Sequence, residues 1–355
     1  MIMHRGGGNM QEKNKEILLI LTGGTICSVE DEKGKRSSET SQAQYKIVSE
    51  FHNSSSPYRG IDFDYLTPLN ILSENMTVKT WRTLLESLRD VHCRGKYKGI
   101  IMLHGTDTLA YTSSLLSLMM THLDIPLILV SSQLPLSHKD TNGNANFRAA
   151  AELIMNGIEP NVYAVYRNSD GNIYAHFGAD LKQCANYSDD FFSRSSHKID
   201  DPSNASWKGR AFETKNNFLY DAGSLDGRVL AITPYVGIDY DNYNLDKVSA
   251  VVHNTFHSES VCVERSKKQG DITNLSIISF AKRCRQQGVD LFLAPCNGEA
   301  YAYESTGDAL ENGALPISGT TFEMAYVKTL VGCSLGYEGK TLADFVNTRV
   351  NLESI

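Results

Sequence analysis

The sequence predicts an α/β protein, with a large N-terminal doubly wound, mainly parallel sheet domain and a smaller C-terminal α/β domain. Three observations carry this. From residue 16 onward, short and continuously apolar runs alternate with stretches of helical spacing, the pattern of a parallel sheet covered on both faces. A polar, turn-rich segment containing RSSHKIDDPSNASWKGR then interrupts the alternation. Beyond it the alternation resumes over a shorter length. The chain therefore divides into a tail over 1–15, a first domain over 16–192, a linker over 193–226 and a second domain over 227–355.

The elements follow in order. Residues 17–21 are all Ile or Leu, bounded by charge on one side and Gly23-Gly24 on the other, so they read as a strand buried on both faces. Residues 99–103, 127–131 and 162–166 are runs of the same kind. Helical spacing fills the gaps at 78–90, 108–123 and 144–156. In the second domain, 228–233, 248–254 and 290–294 read as strands and 271–287 as a helix. A last helix is expected over 320–331.

Bulk properties narrow the function classes. At 355 residues and 41% hydrophobic, the chain has enough apolar content for a substantial core. Its net charge of −7 argues against general nucleic-acid binding, which needs clustered Lys and Arg against phosphates. Seven scattered cysteines, with no CxxC or Cys/His metal spacing, read as free thiols of a reducing compartment. The N-terminal MIMHRGGGNMQEKNK is polar and Gly-rich and lacks the apolar centre of a secretory signal. No run reaches membrane-spanning length. A cytoplasmic protein without membrane or nucleic-acid partners is the expectation.

Four polar clusters lie at the ends of apolar strands or the starts of helices in the first domain. They are Thr22-Gly23-Gly24-Thr25, Ser73-Glu74-Asn75-Met76-Thr77, His104-Gly105-Thr106-Asp107-Thr108 and Ser131-Ser132-Gln133. Ligands of open α/β sheets sit beyond the carboxyl ends of the strands, so these clusters are candidates for one cleft. Taken singly, Ser73, Thr77, Thr106 and Asp107 are ordinary helix N-caps. Capping, however, does not require Gly-Gly and Gly-Thr at the ends of separate strands. The turn after the first strand lacks the third glycine of a dinucleotide fingerprint, and there is no Walker A lysine, so nucleotide binding fits poorly.

LTGGTI paired with HGTDTLAYT resembles the two signatures of the bacterial-type L-asparaginase and glutaminase-asparaginase family. SENMT, VSSQLPL with TNGNANFRAA, ADLKQCANYSDDFF and the C-terminal YESTGDALENG…TTFEMAYVKTLVG extend the resemblance from residue 16 to residue 332, in the style of the cytoplasmic (type I) enzymes. It implies the two-domain fold read above and hydrolysis of a small-molecule amide, L-asparagine and in some relatives L-glutamine, without metal or cofactor. It also implies a homo-oligomer, usually a homotetramer built from pairs of dimers.

Carried over residue by residue, the resemblance makes Thr25 the nucleophile. Thr106, Asp107 and Lys182 form a supporting triad. Ser73, Glu74, Gly105, Asp107 and Ser132 line the substrate. Thr22 is left as a structural residue. A threonine hydroxyl is a weak nucleophile and needs a nearby base or charge network, which gives the triad its purpose. Backbone N–H groups at the Gly-Thr turns would stabilise the developing oxyanion. GADLKQ by itself reads only as an exposed loop lysine.

Two departures stand out. Relatives carry a tyrosine about a dozen residues after the first threonine. Here CSVEDEKGKRSSETSQAQY, read as a flexible lid, has Ser37 or Ser38 near that place and no tyrosine before Tyr45. Where relatives show a GxGN turn, this chain has Asn254-Thr255-Phe256-His257-Ser258-Glu259, which either reshapes the pocket or packs in a subunit interface. Beside asparagine hydrolysis stand a broader glutaminase-asparaginase or an ammonia-supplying amidase and, as a different class, a catalytically weak amino-acid-binding protein.

Overall fold

The computed structural model describes residues 15–30, 36–89, 91, 97–193, 197–199, 211–212, 215–216, 218, 225–265, 272–296 and 303–349. Within them lies a seven-stranded sheet in the order β4-β1-β5-β6-β7-β8-β9. Its strands are β1 (Lys15–Leu21), β4 (Asp62–Leu66), β5 (Gly99–Leu103), β6 (Leu127–Val130), β7 (Val162–Arg167), β8 (Ile173–Phe177) and β9 (His197–Lys198). The first five run parallel; β8 and β9 add antiparallel.

Two apolar layers explain why β5, β6 and residues 17–21 of β1 contain no polar residue. Leu18, Ile20, Ile100, Met102 and Leu129 face α2 (Val78–Leu88) and α3 (Leu109–Met119). Ile17, Leu19, Leu21, Ile101, Leu103 and Val130 face α1 (Thr40–His52) and α4 (Gly143–Met155). Alternate residues thus serve opposite faces, and each fully buried Leu or Ile contributes about 1.5–3 kcal/mol. The cross-strand register is level: Leu21 pairs with Leu103, Leu103 with Val130 and Val130 with Val165. The carboxyl ends of β1, β5 and β6 therefore finish on one line, and β7 runs two residues beyond it.

The second sheet is parallel throughout, in the order β10 (Val229–Ile232), β11 (Ala250–His253), β12 (Asp290–Leu293) and β13 (Leu315–Pro316). It is flanked by α5 (Ile277–Gln286), α6 (Glu304–Glu311), α7 (Phe322–Ser334) and α8 (Gly339–Asn347). Helix α7 joins the two units. Its Ala325 packs under the second sheet, while Val327, Leu330 and Val331 enter the core of the first.

Several expectations need correction. The segment after Cys27 is not one long loop reaching Tyr45. A short antiparallel pair, β2 (Ser28–Glu30) and β3 (Arg36–Ser38), leads straight into α1, and residues 31–35 of the expected lid lie outside the described residues. Ser37 and Ser38 sit on β3, opposite Val29 and Ser28. Helix α1 was hidden because its polar first turn masks the face formed by Ala43, Ile47 and Phe51 at four-residue spacing. Tyr45, on that helix, is 78% exposed. Strand β9 falls inside the stretch read as linker. The helix at 320–331 is not the last, because α8 follows and buries Leu342 and Val346. Strands β4 and β8 and helix α6 were also unforeseen.

Candidate active site

The turn after β1 is built by three chain segments meeting. Ile71 donates its N–H to the Thr22 carbonyl at 3.1 Å, and the Gly24 N–H donates to the Ile71 carbonyl at 2.8 Å. Gly23 and Gly24 have φ of 107° and 81°, which L side chains rarely adopt. A Cβ on Gly23 would stand 2.1 Å from the Ile71 oxygen, and one on Gly24 would stand 2.3 Å from Gly105 Cα. The two turns thus touch backbone to backbone, which only glycine permits. Thr22 is buried and its Oγ1 donates to the Leu103 carbonyl at 2.9 Å, so its hydroxyl is consumed in joining β1 to β5. Thr25 opens a 3₁₀ turn over Thr25–Cys27 and stays half-buried. Burial pushes the neighbouring Cys27 thiol up to about 12, leaving it unreactive at neutral pH.

Ser73 ties the second and third clusters together. Its Oγ donates to Asp107 Oδ2 at 2.9 Å and accepts the Asp107 N–H at 3.2 Å. Thr108 Oγ1 donates to the Ser73 carbonyl at 3.0 Å instead of capping α3. Gly105 is required here too, since a Cβ would stand 2.3 Å from Ser73 Oγ. Glu74 follows in the same 3₁₀ turn and is exposed. Thr77 does what its type suggests and caps α2 in a reciprocal box with Thr80. The structure therefore brings Thr25, Ser73, Gly105 and Asp107 onto adjoining turns, from elements far apart in sequence.

Thr106 and Asp107 line a cavity of about 450 Å³ together with Gln133, Tyr166, Gln183 and Cys184. Asp107 is exposed and Thr106 half-buried. Inside the wall, Gln133 Oε1 is buried with no hydrogen-bond partner among the described residues, and the buried Tyr166 hydroxyl lies against Asn142. Burial raises the Tyr166 hydroxyl pKa, so it remains a neutral donor. His104, fully buried beneath the turn, has its pKa lowered to about 4 by desolvation. It is neutral at pH 7, and its Nδ1–H donates to the Gly105 carbonyl at 2.8 Å.

Two expected residues are placed differently. Ser132 spends its hydroxyl within its own turn: it donates to the Leu134 carbonyl, contacts Thr141 Oγ1 at 2.8 Å and accepts the Leu134 N–H at 3.3 Å. Lys182 is exposed, its N–H bound to the Phe192 carbonyl at 2.9 Å, and it makes no ion pair with Asp107 among the described residues. Supporting residues emerge that sequence reasoning did not single out. Asn142 accepts the Gln133 N–H and donates to the Arg167 carbonyl, while Asn146 donates to Ser131 and accepts from the Arg167 N–H. Together they rivet the end of β6 to that of β7. Both stand in TNGNANFRAA, where a run of short amides entering a helix was the available signal. Among the described residues, no cluster of three or more His, Cys, Asp or Glu is gathered as metal ligands.

Comparison with known proteins decides the family. The model "Asparaginase, N-terminal" matches residues 16–204, more than half of the chain. The chain belongs to the asparaginase family. Among asparaginase-family relatives, it is 35% identical over 147 residues to L-asparaginase 1 of Escherichia coli K12, a match covering 41% of each chain. It is 30% identical over 240 residues to a glutamyl-tRNA(Gln) amidotransferase subunit of Saccharolobus solfataricus, covering 64% of this chain and 51% of that one. The matches thus span about two-fifths to one-half of these relatives' lengths. The thermostable L-asparaginase of Thermococcus kodakarensis shares the fold, with a TM-score of 0.68 at 19% identity, covering 96% of this chain and 99% of that one. No helix among the described residues is long and apolar enough to cross a membrane.

Proposed function

We propose that the protein hydrolyses the side-chain amide of L-asparagine to L-aspartate and ammonia, with Thr25 as nucleophile. The observation that carries this reading is the Ser73–Asp107 pair, held at 2.9 Å beside the glycine contact of the Thr25 and Thr106 turns. Asp107, exposed at the cavity, is the acceptor for a substrate ammonium, and Ser73 is placed for the α-carboxylate. Glu74 adds negative charge beside the ammonium.

The Thr25 hydroxyl attacks the amide carbon, and its proton passes through the Thr106, Asp107 and Lys182 set to the leaving nitrogen. The C–N bond breaks and ammonia departs. Water then adds to the acyl ester and restores Thr25 and the free carboxylate. Backbone N–H groups of the facing turns stabilise the oxyanion. Lys182 is exposed and reaches this set only by turning inward.

Thr25→Ala tests the assignment. Ammonia release from asparagine should fall by at least about a thousandfold, as expected for a lost nucleophile, while aspartate still raises the melting temperature. Unchanged hydrolysis in this variant would overturn the role of Thr25. Retained stabilisation with no hydrolysis in the wild type would instead favour an amino-acid-binding protein.

A second reading is an amidase that supplies ammonia to a transferase partner. The observation favouring it is the match to the amidotransferase, which covers more of this chain than the match to E. coli L-asparaginase 1 does. Comparing ammonia release from asparagine and glutamine separates the two. The single methylene between them is worth only about 1–3 kcal/mol in a pocket. Self-association into a dimer or tetramer belongs to the same proposal, and sedimentation velocity measures it.

A further inference from the structure

Glu323 stands in the first turn of α7, yet it is only 8% exposed. An acid at a helix start is ordinarily favoured by the helix dipole and points to water. This one turns into the protein and spends an oxygen on another element. Its Oε1 accepts the Gln183 N–H at 2.9 Å, across 140 residues of sequence. Its Oε2 is buried as well, and the Thr321 hydroxyl at the helix start bonds the carboxylate. Tyr111 of α3, Thr321 and Lys182 surround it. Burying a carboxylate is costly unless it is well bonded. Burial accordingly raises its pKa, while the Gln183 N–H and the Lys182 charge act in the opposite direction.

Gln183 in turn holds the catalytic turn at both ends. Its Nε2 donates to the Thr106 carbonyl at 2.7 Å, and its Oε1 accepts the Ala110 N–H at 3.2 Å. Between these anchors lies Asp107. The N–H that Glu323 holds belongs to the peptide joining Lys182 to Gln183, and the Lys182 N–H is itself fixed to Phe192. Both proposed partners of Thr25, the Thr106–Asp107 turn and Lys182, are thus braced through one carboxylate. That carboxylate sits on a rigid support, because Val327, Leu330 and Val331 of the same helix are fully buried in the core of the first sheet.

We infer that Glu323 is a positioning residue for amide hydrolysis, acting through Gln183 to hold the Thr106–Asp107 turn and the Lys182 backbone in register. This rests on the hydrolase reading above. It makes a helix that also packs under the second sheet part of the support of a site formed by the first.

The test uses Glu323→Gln, Glu323→Ala, Gln183→Ala and the double alanine variant of the full chain. Glu323→Gln keeps an acceptor for the Gln183 N–H and should retain kcat within about threefold. Glu323→Ala should lower kcat about tenfold or more with KM little changed, and Gln183→Ala should do the same. The double variant should be no worse than the poorer single one, since both cut the same connection.

Hydrogen exchange supplies a readout independent of turnover. In Glu323→Ala the Ala110 amide should lose protection, while amides of β12 keep theirs. Full kcat in Glu323→Ala, multiplicative losses in the double variant, or unchanged Ala110 protection would each overturn the inference. A loss of protection spread evenly over β12 and Ala110 would also overturn it, by showing general destabilisation. If the wild type hydrolyses neither amide, the hydrolase reading fails by itself, and the exchange result still decides whether the brace exists.

Discussion

At the carboxyl end of β5 and at that of β11, the chain places a fully buried histidine whose Nδ1–H donates to the carbonyl of the next residue. His104 reaches Gly105 at 2.8 Å and His253 reaches Asn254 at 2.5 Å. Both strands lie between parallel neighbours, and desolvation lowers both imidazole pKa values to about 4. The likeness ends at the other ring nitrogen. Tyr240 Oη donates to His253 Nε2 at 2.9 Å, whereas His104 Nε2 is buried without a partner among the described residues. After His253 the chain closes on itself: Asn254 Oδ1 takes the Thr255 N–H, and Thr255 Oγ1 donates to the Pro295 carbonyl. After His104 the side chains withdraw. Gly105 and Gly24 meet backbone to backbone, leaving Thr106 and Asp107 turned to a cavity. The same strand-end frame supports a sealed turn in one sheet and an open, chemically equipped one in the other.

The largest expected effect comes from breaking the open end. Gly24→Ala puts a Cβ against the Gly105 backbone at a φ of 81°, so the backbone itself must move. Urea denaturation should show a loss of about 3 kcal/mol or more, and ammonia release should be abolished. Asn254→Ala, at the matching place of the sealed end, should leave hydrolysis intact and cost about 1 kcal/mol. Equal damage from both substitutions would erase the contrast.

Acid titration probes what the two ends share. His104 and His253 are neutral when folded, with pKa values near 4, but take up protons near 6.5 when unfolded. The unfolded chain therefore binds more protons in this window. Stability should be full above about pH 6.5 and fall as pH drops toward 4, by about 3 kcal/mol for each histidine. His176, lowered to about 3, adds to the same slope. Chemical denaturation at a series of pH values checks this, and a flat profile between pH 7 and pH 4 would contradict it.

The smallest effect sharpens the difference. Tyr240→Phe removes the donor to His253 Nε2 and makes the sealed end resemble the open one. The expected cost is about 1–2 kcal/mol, with amide hydrolysis unchanged. A stability indistinguishable from wild type would mean that the Tyr240 bond does not distinguish the two ends.

Much of the fold was legible from residue patterns. The all-Ile/Leu run before Gly23 could only be a strand covered on both faces, and Gly99–Leu103 matched its expected bounds to the residue. Helix α1 was missed because its polar first turn continues a charged loop, so periodicity becomes visible only from Ala43 onward. The connector reading overlooked β9, a two-residue antiparallel edge that no pattern of such length can reveal. At the candidate site, residue types were readable and their hydrogen-bond partners were not. Thr22, Thr25 and Ser132 carry similar hydroxyls after similar strands. Two of them are consumed, by Leu103 and by the turn holding Leu134 and Thr141, and Thr25 stays half-buried at the contact of the two turns.

The sequence by itself determined the parallel strands, the glycine turns at their carboxyl ends and the residue types gathered there. These follow from period, backbone freedom and burial, which are properties of short stretches. Tertiary structure alone decided which groups meet. Ser73 and Asp107 are 34 residues apart, and Gln183 and Glu323 are 140 apart. Each of those bonds exists because level strand registers and a helix shared by two cores bring distant polar groups within 3 Å, where a buried donor must find an acceptor.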